Sequence, residues 1–184
     1  MLGSRLNFSA RCVLTPLPTG TSIEEIYLPY VSVLELFKLE VLNYLRTKYS
    51  INFFSAMTIF SQATVVFNKE IYDFMMSMIG DGIDILLNRN PTISIGSILC
   101  MKLTKVKDNI HDLTLSCRPN ILKFLNADHD GDVLNVYRLV LDGHKESFRK
   151  LSPKNFVFNM NDGNFNKNLG FSKDYVLGLQ TLLG

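Results

Sequence analysis

The segment Ile121–Leu141, ILKFLNADHDGDVLNVYRLVL, decides how the rest of the chain is read. At its centre Asn126–Asp132, NADHDGD, carries carboxylates at every second position with only His129 and Gly131 between them. Like charges that close repel by about 1–4 kcal/mol per pair at effective dielectrics between bulk water and a protein surface. An apolar segment would not carry such a cluster unless something offset the repulsion. On a straight strand Asp128, Asp130 and Asp132 would project from one side, successive members about 6.5–7 Å apart, which is too open for one ion. Gly131 changes this, because a residue without Cβ lets the backbone turn sharply and brings the flanking oxygens together. Hard oxygen donors in that number suit magnesium, whose remaining octahedral positions go to water and phosphate oxygens. A solvated Asx-rich turn is the plainer alternative. An EF-hand calcium loop is excluded, since Val133 and Leu139 stand where it needs glycine and its twelfth-position glutamate.

The composition frames this motif. With 184 residues, 47% hydrophobic and 20% charged, the chain has the make-up of an ordinary globular protein with one core, and one domain over 1–184 is expected. The net charge of +2 announces no general basic field, so any nucleic-acid contact must come from a few placed residues. No apolar run reaches the length of a membrane span, and MLGSRLNFSARC lacks the cationic start and apolar core of a secretory signal. A cytoplasmic location without membrane contact is expected. Cys12, Cys100 and Cys117 are odd in number, far apart and in no CxxC arrangement, which argues against a disulfide framework or a zinc site.

Organisation changes twice along the chain. RCVLT, within residues 1–20, reads as a strand ended by a turn at Pro16 and Pro18. From Ser32 to Lys48, Val33, Leu34, Phe37, Val41, Leu42 and Leu45 recur at helical steps, with Ser32 as cap and Glu35 completing a capping box. A second helix is expected over Lys69–Ile79, so residues of about 23–80 form a helical insertion. From about 81 to 141 the character is that of strands: IDILLN, ISIGSILCMKLT, DLTLSC, ILKFL and VLNVYRLVL are short, rich in branched apolar residues, and separated by turn residues. That spacing predicts a small closed barrel. The extension from about 142 to 184 is turn-rich until DYVLGLQTLL, which could begin a helix at Ser172.

Several stretches together carry a resemblance. LNADHDGDVLNVY resembles the Asn-Ala-Asp-x-Asp-Gly-Asp active-site signature of the largest, β′-like, subunit of multisubunit DNA-dependent RNA polymerases. LGSRLNFSARCVLTPLP at residues 2–18 looks like that family's Gly-Lys-Arg and Ser-x-Arg segment, and LPYVSVLELFK like its next Leu-Pro stretch and helix. LLNRNPT at 86–92 is similar to its Asn-Arg-x-Pro-Thr element, and SPKN and SKDYVLGLQTL resemble the family's stretches beyond its aspartates. The matches keep the family's order along nearly the whole chain.

The resemblance implies an α+β fold, a double-psi β-barrel with helical insertions and the aspartate loop at its active face. It implies that Asp128, Asp130 and Asp132 hold the catalytic Mg2+, that Arg89 and Asn126 contact the sugar of the incoming nucleotide or RNA end, and that Arg5 and Arg11 lie against the DNA backbone. The activity implied is that of a DNA-directed RNA polymerase, a nucleotidyltransferase that extends RNA from nucleoside triphosphates. The partners implied are a β-like subunit, the remaining β′-like segments, the DNA template and the RNA product. A compact segment beginning with its own methionine would suit a split polymerase of a large virus or bacteriophage, then acting in the host cytoplasm, or a fragment of a longer gene.

The residue types make chemical sense in those roles, because phosphoryl transfer needs positioned charge more than covalent chemistry. Arginine donates in a fixed fork and asparagine offers both a donor and an acceptor to a hydroxyl. Taken singly, Arg89 would brace a turn, Asn126 would cap one, Arg5 and Arg11 would be surface charges, and Lys102, Lys105 and Lys107 a solvated strand face. Alternation turns His129 to the side opposite the carboxylates, toward packing or solvent. The chain departs from the family pattern at Ser4, in place of lysine, and at Ile95-Gly96, in place of a basic pair, so fewer phosphate contacts are available. A noncatalytic assembly module and an independent magnesium-dependent phosphohydrolase are the competing readings.

Overall fold

The computed structural model describes residues 7–17, 22–92, 95–140, 142–157 and 181. The strands β1 (Ser9–Pro16), β2 (Glu25–Pro29), β3 (Ile83–Asn88), β4 (Ile98–Lys107), β5 (Thr114–Cys117) and β6 (Val133–Arg138) close into a barrel in the order β1-β5-β2-β4-β3-β6. The β1/β5 and β2/β4 pairs are parallel and the other four antiparallel. This is an α+β double-psi barrel with helical insertions.

The period-two pattern of the strands fills its interior. Cys12 and Leu14 on β1, Ile26 and Leu28 on β2, Ile85 and Leu87 on β3, and Leu134 and Val136 on β6 are all buried. On β4 the buried series Leu99, Met101, Leu103 skips to Val106, and the pairing with β2 shifts register at the same place, Ile26 facing Leu103 and Tyr27 facing Lys105. The extra residue, Thr104, is a bulge that resets which face points inward. Each fully buried aliphatic chain contributes about 1.5–3 kcal/mol relative to exposure.

Residues 25–29 correct the expected helical insertion, which begins only after them. Glu25–Pro29 is a strand because Ile26 and Leu28 alternate into the barrel and the run fills the gap between β4 and β5. Five residues ending at a proline give too short a period to announce this. The helix expected over Ser32–Lys48 is two helices, α1 (Tyr30–Leu36) and α2 (Lys38–Tyr49), parted at Phe37 with φ −114° and ψ 28°. Phe37 is buried and carries the Arg138 guanidinium 4.6 Å from its ring centre, while Arg138 also pairs with Glu40, so the break docks the helices on the end of β6. Ser32 caps nothing; Pro29 precedes α1, and the Ser32 hydroxyl meets Cys12 Sγ instead.

The helix α3 (Phe53–Ala63), capped by the Asn52 side chain accepting from the Ser55 N–H, has no counterpart in the sequence-based expectation, and α4 (Lys69–Ile79) matches its expected bounds. ILKFL, expected as a strand, is a 3-10 turn over Pro119–Ile121 running into α5 (Leu122–Leu125). A five-residue apolar run fits either form; Pro119 at the start and a left-handed residue at the end make it helical.

After β6, α6 (Asp142–Arg149) and a turn at Pro153–Phe156 fold back on the barrel. Arg149 Nε donates to Asp84 Oδ2 at 2.7 Å, the Cys100 N–H donates to the Leu151 carbonyl at 3.0 Å, and Ser152 and Lys154 contact Glu24. Pro18, Arg5 and the helix expected from Ser172 lie outside the described residues. Among the described residues no helix is long and apolar enough to cross a membrane.

Candidate functional site

The Asp-rich loop hangs between two fixed ends. At its start α5 is pinned by buried Leu122, Phe124 and Leu125, and Asn126 closes it in the left-handed conformation (φ 48°, ψ 46°). Its N–H donates to the Lys123 carbonyl at 3.3 Å and that of Ala127 to the Leu122 carbonyl at 2.9 Å, a helix C-terminus of the kind asparagine tolerates. At the loop's end the Asp132 carbonyl accepts from the Leu14 N–H at 2.9 Å, which ties it to β1. Between them Gly131 takes φ 109°, a value open to glycine, and makes the sharp turn expected of it.

Within the loop the Asp128 N–H donates to Asp132 Oδ2 at 2.8 Å, and the His129 N–H to Asp128 Oδ1 at 2.7 Å. Arg89 reaches the same Asp132 carboxylate from the end of β3. Its Nε donates to Asp132 Oδ2 at 3.0 Å and its Nη2 to Asp132 Oδ1 at 3.1 Å, a bidentate pair with each side chain 21% exposed. The Arg89 fork, followed by the Asp128 N–H, holds the Asp132 carboxyl below its ordinary range. The Arg89 backbone is itself held, its N–H donating to the Ser97 carbonyl at 3.2 Å.

These groups open onto a cleft of about 420 Å³ lined by Asp128, Asp130, Asp132, Arg89, Asn126 and Lys123, among others. Residues far apart in sequence, 89 and 126–132, thus meet on one face. The expected convergence of the three carboxylates is not found: among the described residues no group of three His, Cys, Asp or Glu is gathered closely enough to hold a metal ion. The physical reason is visible in the pairing, because Asp132 relieves its charge on Arg89 while Asp128 and Asp130 stay in solvent. The donor set still fits a hard divalent cation in kind. Asp128 and Asp130 are exposed to accept one, and Asp132 would exchange an arginine contact for it.

Of the other expected site residues, Arg11 is exposed on β1 opposite Asn135 and is not among the described residues lining the cleft; Arg5 lies outside the described residues. His129 does not line the cleft either, and its ring nitrogens are buried with no hydrogen-bond partner among the described residues. Lys107 is not a solvated strand residue, since its ammonium meets Asp112 at 3.0 Å and the Thr114 hydroxyl at 2.8 Å. Sequence reasoning misses Lys123 because ILKFL reads as a strand, and with a strand's period its side chain has no defined relation to the loop.

A closed double-psi barrel presenting an Asp-Asp-Asp loop beside an arginine and an asparagine defines the class. None of the models of known protein families matches the chain. Individual relatives do. The chain is 28% identical over its whole length to a DNA-directed RNA polymerase subunit beta′ of Plasmodium falciparum, covering 30% of that protein. It is 30% identical over 138 residues, 74% of the chain, to the subunit beta′ of Sulfurimonas denitrificans, and 31% identical over 139 residues to that of Lolium perenne, covering 8% and 19% of them. The chain belongs to the family of the largest, β′-like, subunits of DNA-directed RNA polymerases and corresponds to a segment of them. It spans less than a third of the length of these curated relatives. All three come from cellular organisms, and they lend no support to a viral or phage source.

Proposed function

We propose that this chain is the metal-holding segment of a DNA-directed RNA polymerase, acting in templated nucleotidyl transfer to an RNA 3′ end and active only when assembled with a β-like chain, the remaining β′-like segments and the DNA template. The observation that carries the proposal is the meeting of Arg89 and Asn126 with Asp128, Asp130 and Asp132 around one cleft on a polymerase-type barrel. Asp128, Asp130 and Asp132 would hold Mg2+, which when bound lowers the pKa of the attacking hydroxyl and stabilises charge on the reacting phosphate.

The protein residues do the positioning. Asp128 and Asp130 supply exposed carboxylate oxygens from a loop whose backbone is anchored at both ends. Asn126 presents its amide from a backbone geometry that cannot drift without unwinding α5, suiting it to a ribose hydroxyl. Arg89, once Asp132 turns to the cation, has a rigid fork free for the sugar or RNA end. Arg11, exposed away from the cleft, would contact the DNA backbone, a role proposed for Arg5 as well.

The engagement of Asp132 by Arg89 is what a noncatalytic assembly module would also have, and one experiment separates the two. Asp130→Ala is placed in the reconstituted complex and RNA extension is measured from a primed template. Loss of extension with assembly intact is expected; retained extension refutes the catalytic reading.

A further inference from the structure

We propose that Lys123 binds the phosphate groups of the incoming nucleoside triphosphate, an inference that rests on the polymerase reading above and adds a substrate contact to it. The cleft presents two described cations, Arg89 and Lys123. Arg89 has both its Nε and an Nη committed to Asp132. Lys123 is exposed and its ammonium has no hydrogen bond or ion pair among the described residues, although three carboxylates line the same cleft. It is a cation held beside an acidic loop but left unneutralised.

Its base is rigid while its head is free. Leu122, Phe124 and Leu125 on either side are buried, and Gly96 packs so closely on Phe124 that a Cβ there would lie 2.9 Å from the Phe124 carbonyl oxygen. The Cα of Lys123 is therefore fixed, and its four-carbon stem can sweep the cleft from that point. The Lys123 carbonyl accepts the Asn126 N–H, so the ammonium starts from the turn that sets the proposed sugar contact. A compact, mobile point charge next to a sugar site suits a flexible polyphosphate better than planar bidentate recognition does. The cleft's volume is that of a small-molecule site rather than of a duplex.

The test compares Lys123→Met, which keeps the stem and removes the charge, with Lys123→Arg, which keeps the charge. In the reconstituted complex, extension of a primed template is followed against triphosphate concentration, and template affinity against salt. For Lys123→Met a KM about tenfold higher, with kcat changed far less, is expected; Lys123→Arg should restore most of it, and the salt dependence of template binding should stay as in the wild type. An unchanged KM overturns the proposal, whether or not template binding weakens, since a backbone-phosphate contact would show only in the latter. If the wild-type complex does not extend RNA, the polymerase reading fails separately. Equilibrium binding of a nonhydrolysable nucleoside triphosphate then decides: weaker binding by Lys123→Met supports the contact, and equal binding, or no saturable binding by the wild type, overturns it.

Discussion

Replacing Arg89 by Ala removes the partner that Asp132 has in this structure, and its effects can be worked out from the geometry. The pair is bidentate at 3.0 and 3.1 Å, which places it among the stronger charge-assisted contacts, but each side chain is about a fifth exposed and solvent screens it. Surface pairs contribute about 0.2–1 kcal/mol, so the upper end, about 1 kcal/mol, is expected here. In a chain of this size that is a fall in Tm of about 2–4 °C. Arg89→Lys, which keeps the charge without the fork, should lose part of this. The pH dependence has a definite sign. Asp132 is held below its ordinary pKa of about 3.9 when folded, so its contribution is fully present above that value and lost as pH falls through the lower folded one. The stability gap between wild type and Arg89→Ala should therefore be constant from about pH 5 to 7 and shrink toward about pH 3. The same arginine competes with a divalent cation for the Asp132 oxygens, so Arg89→Ala should bind Mn2+ more tightly, by several-fold, even as extension in the complex falls. Carboxyl-selective NMR titration of the full chain checks the premise directly. An Asp132 that titrates identically with and without Arg89 refutes the reasoning.

Asn126→Gly keeps the left-handed helix end and removes the amide, so stability should change by only a few tenths of a kcal/mol while nucleotide KM rises; Asn126→Val should cost about 1 kcal/mol or more in chemical denaturation. Gly96→Ala places a Cβ against the Phe124 carbonyl oxygen and should cost about 1–3 kcal/mol by overpacking, shifting α5 and lowering extension, as unfolding curves and primed-template assays would show. Burial pushes the Cys117 thiol up to about 12 and the Cys100 thiol to about 11. Neither should react with iodoacetamide at about pH 8 until the chain is unfolded, as mass spectrometry would report.

How much of the fold is legible in the sequence depends on how local each signal is. IDILLN, DLTLSC and VLNVYR carry their period within a few residues, and α4 carries its stripe within eleven, so strands β3, β5 and β6 and that helix are readable. β2 is five residues long and holds its place only by lying between strands roughly 77 and 90 residues later. The break at Phe37 exists because Arg138 stacks there, a contact across about a hundred residues that no helical period encodes. Double-psi topology comes from the resemblance and not from the strand count, since parallel pairings leave no turn signal. The loop, its Gly131 turn and its neighbours Arg89 and Asn126 are readable as types. The partner of Asp132 is not, because the choice between an arginine and a cation is made by geometry, and Lys123 becomes visible only once α5 is a helix.

The pairing of β1 has a consequence for how such a chain is made. Val13 finds its neighbours at Thr114 and at Val133, so this strand leaves the ribosome well before the residues that satisfy it. Until the residues near 138 emerge, it presents an unpaired edge able to join a second nascent chain. Closure and the appearance of the acidic loop coincide, because the loop leads directly into the strand that seals the cylinder. Translation arrested before that point would yield not an incomplete barrel but an aggregation-prone sheet.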